Sequence, residues 1–433
     1  MRVVMIGTGY VGLVSGACFA DFGHQVTCID TDAPKIERLN AGVMPIYEPG
    51  LAAIVSRNAR EGRLTFAADG DAAIGAADAV FIAVGTPSRR GDGFADLTYV
   101  RAAAEAIAGL ARGFTVVVTK STVPVGAGDE IEAIMRRVAP HADIAVVSNP
   151  EFLREGSAIE DFKRPDRVVV GLNDDRARAV MSELYRPLSL NETPMMFTDR
   201  RTSELVKYAA NAFLAMKITF INEVADLCEK VGADVQQVAR GIGLDKRIGP
   251  KFLHPGPGYG GSCFPKDTLA LMRTAAEVGA PLRLVETTAA VNDARKKAMA
   301  GKVARAMGGD VAGKTIGVLG LTFKPNTDDV RDAPSLEIVP ALIAMGARVQ
   351  AFDPEAREAR QRLRDVDFRD GPYEAATAAD ALVILTEWDQ FRALDLDRLK
   401  ALMRTPLIVD LRNVYPPEEP RQRGFTYVSV GRP

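Results

Sequence analysis

Short apolar runs separated by helical stretches make up the first part of the chain. These runs predict strands at residues 2–7, 24–30, 79–84, 115–120, 144–148 and 167–171. Strands that alternate with helices are typical of parallel βαβ units. The pattern therefore predicts an α/β domain, built on a parallel sheet, over residues 1–195.

A long stretch without glycine or proline follows, from Met195 to Val231. Its apolar side chains recur at helical spacing: Leu205, Ala209, Ala212, Met216, Phe220, Val224 and Leu227. This predicts a helix well above the usual mean of about 11–12 residues. More helix is predicted from about residue 268 to residue 307. We therefore expect a central helical domain at 196–307, whose long helix acts as spacer and dimer contact.

The strand and helix alternation then resumes, with predicted strands at 314–320, 347–353, 381–386 and 407–411. This indicates a second α/β domain at 308–433. Its first turn, Gly-Leu-Thr-Phe-Lys-Pro at 320–325, lacks a glycine fingerprint, so we expect it to bind something other than a dinucleotide in that way. The predicted fold class is α/β, with two Rossmann-like parallel-sheet domains joined by a long central helix.

Composition removes several classes of function. A net charge of −2 over 433 residues gives no reason to expect nucleic acid or an anionic membrane as partner. Cys18, Cys28, Cys228 and Cys263 form no disulfide framework and no CxxC pair, which fits reduced thiols in a cytoplasm. The histidines are far apart in sequence, so no metal site is expected. No signal peptide and no membrane-length apolar run is expected either.

The motif Gly7-Thr-Gly-Tyr-Val-Gly12 follows the first predicted strand, and the second predicted strand ends at Asp30. In this context GxGxxG is a dinucleotide fingerprint. Asp30 would bind ribose hydroxyls and repel a 2′-phosphate, which favours NAD over NADP. Gly85-Thr-Pro, after the third strand, would lie beside the same cofactor. The alternative is a purely structural glycine turn.

Further polar residues lie where strands of the first domain are predicted to end. Thr122, in Ser121-Thr-Val-Pro, is placed to contact a substrate, a cofactor or a water, or simply forms a turn. Glu151 and Glu155 share one face if their segment is helical, and one could act as a general base. The alternative for this pair is a solvated acidic helix start.

Two donors lie one turn apart on the predicted long helix. Lys207 and Asn211 could stabilise a developing oxyanion, or could belong to an exposed polar face. In the second domain Lys324, Arg331 and Arg412 could bind an anionic ligand, or could be ordinary surface charges.

Residues 256–267, Gly-Pro-Gly-Tyr-Gly-Gly-Ser-Cys-Phe-Pro-Lys-Asp, present Cys263 after a glycine-rich loop. A cation or a helix N-terminus can lower a thiol pKa and make it nucleophilic. If a helix begins near Cys263, Asp267 lies one turn from the sulfur. The alternative is a small, inert core cysteine.

Taken together, these segments resemble the nucleotide-sugar 6-dehydrogenases, the UDP-glucose/GDP-mannose dehydrogenase family. The resemblance covers the whole chain in order, and its most specific motifs are GYGGSCFPKD and FKPNTDDVRDAPS. It implies an N-terminal NAD domain, a homodimer through the central helix, and a C-terminal domain that binds a UDP-sugar. It also implies oxidation of the sugar's C6 by two equivalents of NAD, through a thiohemiacetal and a thioester on Cys263.

The resemblance assigns roles residue by residue. Cys263, Lys207, Asn211, Asp267, Glu151 and Thr122 would be catalytic. The cofactor would contact Gly7, Gly9, Tyr10, Val11, Gly12, Asp30, Lys35, Gly85, Thr86, Pro87, Ser121, Thr122, Glu155, Lys266 and Arg331. The substrate would contact Glu151, Phe152, Leu153, Lys207, Asn211, Arg247, Phe252, Gly256, Gly258, Tyr259, Gly260, Phe323, Lys324 and Arg412, with Arg247 reaching the neighbouring subunit's substrate.

The amino-acid sequence of the cysteine loop favours UDP-glucose as substrate, because N-acetyl-sugar enzymes more often carry His-Cys-Ile-Pro there. GDP-mannose and a UDP-N-acetylhexosamine are the alternatives within the family. Two alternatives lie outside the family's reaction. One is a non-catalytic nucleotide-sugar sensor, and the other is a two-electron 3-hydroxyacid-type dehydrogenase with an unused cysteine.

Overall fold

The computed structural model describes residues 1–87, 89 and 94–432. They divide into two units, with the boundary between Ala210 and Asn211. Each unit contains one sheet with helices, as the sequence predicts.

The first unit is built on an eight-stranded sheet in the order β3-β2-β1-β4-β5-β6-β7-β8. Its strands are β1 Arg2–Ile6, β2 Gln25–Ile29, β3 Leu64–Ala67, β4 Ala79–Ile82, β5 Thr115–Thr119, β6 Ile144–Ser148, β7 Val168–Gly171 and β8 Met195–Thr198. All neighbours are parallel except β6 and β7. The structure adds β3 and β8 to the predicted strands.

The helices of the first unit connect these strands: α1 Tyr10–Asp21, α2 Ala33–Asn40, α3 Leu51–Arg60, α4 Asp71–Gly75, α5 Thr98–Leu110, α6 Ala127–Val138, α7 Ala158–Lys163 and α8 Asp175–Leu184, followed by a 3-10 helix at Arg186–Asn191. Apolar side chains fill both faces of the sheet. Along β4, Phe81 belongs to one core cluster and Ile82 to another, as the alternation of a strand requires. Burial on both faces explains the continuous apolar runs in the sequence.

The predicted long helix is α9, Arg200–Val231, with 32 residues. It begins after Asp199, whose carboxylate accepts hydrogen bonds from the Thr202 amide (2.9 Å) and hydroxyl (2.7 Å). It stops at Gly232, where φ is +75°. Helix α9 thus carries Lys207 in the first unit and Asn211 in the second, one turn apart.

The second unit continues with helices α10 Val235–Gly243, α11 Phe264–Glu277 and α12 Arg283–Ala306. Its strands are β9 Thr315–Leu319, β10 Arg348–Phe352, β11 Val366–Phe368, β12 Ala381–Ile384, β13 Leu407–Asp410 and β14 Thr426–Ser429. They form a parallel sheet in the order β11-β10-β9-β12-β13-β14. Its shorter helices are α13 Ser335–Ala344, α14 Arg357–Arg362, α15 Pro372–Ala376, α16 Asp389–Arg392, α17 Leu396–Leu402 and α18 Glu418–Gln422.

None of the helices in the described residues is both long and apolar enough to cross a bilayer. Within the same residues, no group of three or more His, Cys, Asp or Glu side chains could hold a metal ion.

Candidate active site

The glycine turn between β1 and α1 lies where the strand order of the first sheet reverses. A Cβ on Gly7 would lie 2.6 Å from the carbonyl oxygen of Ala83, and one on Gly12 would lie 1.9 Å from that of Gly7. These two glycines are therefore required by the protein's own packing. A Cβ on Gly9 would meet nothing within 4 Å, so this position faces open space at the N-terminus of α1. That arrangement fits the pyrophosphate of a dinucleotide.

Asp30, at the end of β2, is fixed beside this turn. Its Oδ2 accepts hydrogen bonds from the Thr8 amide (2.8 Å) and hydroxyl (2.7 Å), and from Lys35 Nζ (2.6 Å). Burial opposes ionisation of Asp30, but Lys35 and Thr8 outweigh it and lower the pKa to about 2. An ionised carboxylate beside the glycine turn fits ribose hydroxyls and disfavours a 2′-phosphate. Both observations fit NAD.

The ends of β4 and β5 meet on the same edge of the sheet. Ser121 Oγ donates to the carbonyl of Val84 (2.7 Å), and Thr86 Oγ1 donates to the carbonyl of Thr122 (2.9 Å). The structure thus brings Gly85-Thr86 together with Ser121-Thr122. Thr122 lines a cavity of about 10 Å³, about the size of one water, together with Ser121, Glu204 and Lys207.

Glu151 and Lys207 form a buried ion pair. Lys207 Nζ donates to Glu151 Oε1 (2.9 Å) and to the Glu151 carbonyl (2.7 Å), and both side chains are about 95% buried or more. Burial opposes ionisation of Glu151, but the Lys207 ammonium and the Leu153 amide outweigh it and lower the carboxyl pKa. Segment 151–154 is irregular rather than helical, so Glu151 and Glu155 do not share a helical face.

Lys207 also faces Phe152. Its Nζ lies 5.4 Å from the ring centroid, and Arg167 stacks on the same ring at 3.6 Å. Glu155 is buried in the same loop, next to Gly156. Sequence reasoning missed Glu48, whose carboxylate accepts hydrogen bonds from the Gly156 amide (2.6 Å) and the Tyr10 hydroxyl, because nothing in its local sequence indicates this contact.

In the second unit, Cys263 is the N-cap residue of α11, so this helix begins four residues before the predicted start near residue 268 and meets the condition set for Asp267. The Asp267 amide donates to the Cys263 carbonyl at 2.8 Å, so Asp267 lies in the first turn. Asp267 is 1% exposed, and its Oδ2 accepts from Asn211 Nδ2 at 2.6 Å. Its Oδ1 lies 3.0 Å from Lys266 Nζ. The structure therefore brings Asn211, Lys266 and Asp267 together at the helix end that presents the thiol.

The four cysteines differ in environment. Cys18, Cys28 and Cys228 are buried, whereas Cys263 is only partly covered. Burial raises the pKa of the Cys18 and Cys28 thiols to about 12, which makes them inert. Among the thiols, Cys263 is therefore the one that a substrate can reach.

The glycines ahead of Cys263 allow their loop to pack closely on the segment after β9. A Cβ on Gly260 would lie 2.4 Å from the carbonyl oxygen of Asp332, and one on Gly261 would lie 2.7 Å from the Phe323 ring. Arg412 donates from Nη2 to the Phe323 carbonyl (3.1 Å), and a Cβ on Gly256 would lie 3.1 Å from its Nη1. Gly256, Gly260, Phe323 and Arg412 are thus neighbours.

Three side chains that sequence reasoning missed hold this loop by its backbone. Asn292 Oδ1 accepts from the Tyr259 amide (2.8 Å), and its Nδ2 donates to the Tyr259 carbonyl (3.2 Å). Asn222 Oδ1 accepts from the Gly256 amide (2.8 Å), while Arg295 Nε donates to the Gly256 carbonyl (2.6 Å). Asn292 and Arg295 are three residues apart on α12, a polar pair that could have signalled a buried contact.

Five further predicted residues belong to the second unit; of these, Tyr259 is part of the cysteine loop and Phe252 packs beside it. Arg247 is exposed and pairs with Asp245, and Arg331 forms a two-pronged contact with Asp329. Phe252 has φ of +65° and packs edge-on against Phe264, whose ring also contacts Tyr259. Lys324 Nζ lies 5.2 Å from the centroid of the Phe323 ring.

Comparison with family models covers most of the chain. Residues 1–189 match the NAD binding domain of the UDP-glucose/GDP-mannose dehydrogenase family, residues 201–294 its central domain, and residues 317–417 its UDP binding domain.

Whole-chain comparison finds similar proteins of the same class. The chain is 66% identical to UDP-glucose 6-dehydrogenase of Rhizobium meliloti, covering 100% of both chains. It superposes on a UDP-glucose dehydrogenase from Pyrobaculum islandicum with a TM-score of 0.91, at 40% identity and over 100% of this chain and 98% of that one. A UDP-D-ManNAc dehydrogenase from Pyrococcus horikoshii gives a TM-score of 0.87 at 26% identity, over 100% and 99% of the two chains.

Proposed function

The chain belongs to the UDP-glucose/GDP-mannose dehydrogenase family, and we propose that it oxidises C6 of UDP-glucose to give UDP-glucuronate. It is an NAD-dependent dehydrogenase. The choice of UDP-glucose rests on the identity to a UDP-glucose 6-dehydrogenase, 66%, against 26% to a UDP-D-ManNAc dehydrogenase. The observation that supports the thiol chemistry is the partly covered Cys263 at the N-terminus of α11.

The proposed reaction removes four electrons from one carbon. When bound, NAD supplies the hydride acceptor, and two equivalents are needed to take a primary alcohol to a carboxylate. The first oxidation leaves an aldehyde at C6. We infer that Cys263 Sγ adds to this aldehyde and forms a C–S bond, giving a thiohemiacetal. Loss of the second hydride and of the hydroxyl proton gives a thioester, which holds the carbon on the enzyme.

Water then cleaves the C–S bond and returns the thiol. The Glu151 carboxylate is ionised and so can accept a proton from that water, with Thr122 as a second partner. Lys207 and Asn211 are donors on consecutive turns of α9, suited to the oxyanions of the thiohemiacetal and of the hydrolytic intermediate. Asp267 orients the Asn211 amide through their 2.6 Å hydrogen bond.

We propose that residues 1–195 bind NAD, residues 308–433 bind the UDP-sugar, and residues 196–307 carry the cysteine loop and the dimer contact.

Exposed apolar side chains on α9 support a homodimer. Phe213, Phe220 and Leu227 are spaced by seven residues and are each more than half exposed, so they form one stripe. Light scattering of the Phe220→Asp variant tests this: a smaller particle than the wild type is expected. Cytoplasmic location stays a prediction from cysteine usage.

A substrate panel and a cysteine variant test the proposed reaction. NADH formation is measured with UDP-glucose, GDP-mannose and a UDP-N-acetylhexosamine. We expect about two NADH per UDP-glucose and little from the others. Strong turnover of GDP-mannose with none of UDP-glucose would overturn the substrate, and binding of UDP-glucose without NADH would favour the sensor.

Cys263→Ser should reduce overall turnover by about 10³-fold or more. Intact mass spectrometry should then detect an ester on the serine. Cys228→Ser, a buried cysteine of the same unit, is the matched control and should keep its turnover. Unchanged turnover in Cys263→Ser would favour a two-electron dehydrogenase with an unused cysteine.

A further inference from the structure

A second buried lysine lies next to the Glu151–Lys207 pair and has no role in the reaction described above. Lys120 directly follows β5 and is 4% exposed. Its Nζ donates to Asn149 Oδ1 (3.1 Å) and to the Tyr185 hydroxyl (3.1 Å), which are both neutral. Among the described residues, no carboxylate forms an ion pair with it. A buried ammonium without a carboxylate partner is costly, so its retention calls for a function.

The network around Lys120 fixes the start of the Glu151 loop. The Tyr185 hydroxyl donates to Asn149 Oδ1 at 2.6 Å, and Asn149 Nδ2 donates to the Val169 carbonyl at 2.8 Å. The Asn149 amide donates to the Thr119 carbonyl at 2.9 Å. Asn149 is thus held from several sides, two residues before Glu151.

Lys120 has one electrostatic partner of opposite charge. The groups that act on it are the Glu151 carboxylate, which favours its charged form, and the Lys207 ammonium, which opposes it. A second buried carboxylate, Glu204, lines the same cavity as Lys207. The rings of Phe162 and Tyr185, with centroids 5.9 Å and 5.7 Å from Lys120 Nζ, add only weak support for the second cation.

We propose that Lys120 is a positioning residue for hydrolysis of the enzyme-bound ester: its ammonium holds the Asn149 end of the loop and keeps the Glu151 carboxylate ionised inside a dry site. This inference rests on the proposed function. Lys207 is bonded directly to Glu151 and is also needed for the oxyanions, so a second cation keeps the base ionised without engaging its oxygens. Burial lowers the pKa of Lys120 itself to about 8, so it is charged at neutral pH.

The test uses the full-length protein and two neutral variants, Lys120→Met and Lys120→Gln. The glutamine variant retains a donor for Asn149 and Tyr185 and so guards against loss of folding. The kcat for NADH formation from UDP-glucose is measured from about pH 3.5, below the ordinary pKa of a glutamate, up to pH 9. Without the charge, the pKa of Glu151 rises, and the acidic limb should move up by about one pH unit, which is about tenfold in rate on that limb. Rates on the alkaline plateau should match the wild type.

Three further measurements separate the electrostatic role from a merely structural one. Lys120→Arg keeps the charge and should leave the acidic limb in place. Tyr185→Phe removes the hydroxyl that accepts from Lys120 but removes no charge, so it should also leave the acidic limb in place. Intact mass spectrometry during turnover at the acidic end should show more ester on Cys263 in the neutral variants than in the wild type.

The inference is overturned if the Lys120→Met and Lys120→Gln profiles superimpose on the wild type, or if their rates fall by one factor at every pH. The proposed function fails separately, if the wild type forms no NADH from UDP-glucose. Lys163→Met, which removes an ion pair with Asp21 in the same unit, is the control for loss of a lysine as such and should leave the profile unchanged.

Discussion

The two sheets of this chain share one strand order but differ at the carboxyl end of their first strand. In each, the first six strands in the chain follow the order 3-2-1-4-5-6. In each, the first strand is followed by a glycine with positive φ, +100° at Gly7 and +86° at Gly320. The amide of that glycine donates to the end of the second strand, at 2.8 Å and 2.9 Å respectively. Both second strands are followed by an aspartate, Asp30 or Asp353.

The aspartates have different partners. Asp30 Oδ2 is bound by Thr8 and by the partly exposed Lys35, next to open space at Gly9. Asp353 is 4% exposed, and its Oδ2 accepts from the Leu321 and Thr322 amides at 2.6 Å and 3.0 Å. The Trp388 indole Nε1 donates to the same oxygen at 3.3 Å. The first carboxylate lies beside the open space at Gly9, where we propose that NAD binds, whereas the second closes the protein's own turn.

The following segment differs as well. Helix α1 begins three residues after Gly7, so its N-terminal amides are available to phosphates. After Gly320 the next helix, α13, begins only at Ser335, and the intervening loop carries Lys324 and Arg331. We propose that the length and charge of this loop make two similar sheets bind different ligands.

The largest expected effect comes from closing the glycine turn of the first sheet. In Gly12→Ala the new Cβ meets the Gly7 carbonyl oxygen at 1.9 Å, and a backbone atom cannot move aside. We expect the free energy of unfolding to fall by about 3 kcal/mol or more, together with loss of NAD binding.

Gly9→Ala is the matched variant, because its Cβ enters open space. Its unfolding free energy should stay within about 1 kcal/mol of the wild type. The KM for NAD should nevertheless rise about tenfold or more, since the methyl group occupies the position of the pyrophosphate. Denaturant titration and NAD kinetics check both variants, and equal stability losses would contradict the assignment of Gly9 to the ligand.

Exchange of the two aspartates tests the central difference between the sheets. Asp353→Asn places an amide group, with its own N–H donors, among the backbone amides and the indole N–H that now donate to the carboxylate. The unfolding free energy should therefore fall by about 1–3 kcal/mol, while the KM for NAD is unchanged. Asp30→Asn should raise the KM for NAD by about tenfold or more, because hydrogen bonds to a charged carboxylate are worth about 1.5–3 kcal/mol. The same variant should discriminate less strongly between NAD and NADP. A change in cofactor kinetics in Asp353→Asn would contradict the comparison.

The sequence predicted the inner strands of both sheets and missed the outer ones. β3, β8, β11 and β14 are the edge strands of the two sheets. Edge strands are only partly buried: β11 has no buried residue, and β3 alternates buried with exposed positions. Their pattern is therefore weaker than the continuous apolar runs of the inner strands.

The same division applies to the candidate site. Gly7–Gly12 and the cysteine loop could be predicted because their chemistry lies in consecutive residues. Glu48, Lys120 and Asn222 could not, because each acts through contacts with residues at least 29 positions away in sequence. Only the folded chain brings such partners together.

Acid unfolding offers a further, smaller test of Asp30. Its pKa is lowered to about 2 in the folded chain, against about 3.9 when unfolded, so its stabilising contribution is complete above about pH 4. That contribution, about 2 kcal/mol, is lost as the pH falls toward 2. The difference in unfolding free energy between wild type and Asp30→Asn should shrink over this range, measured by urea titration at several pH values. A constant difference would show that Asp30 does not supply it.

The last expected effect is on the loop that presents Cys263. Asn292→Ala leaves the amide and carbonyl of Tyr259 without their side-chain partner, which costs about 1–3 kcal/mol and loosens the loop. If that loop binds the sugar nucleotide, the KM for UDP-glucose should rise about tenfold while the KM for NAD stays constant. Asn292→Asp keeps the acceptor for the Tyr259 amide, so its KM for UDP-glucose should lie between those of the wild type and Asn292→Ala. An equal rise in both KM values would mean that the cysteine loop serves both ligands, which would weaken the division of ligands between the two sheets.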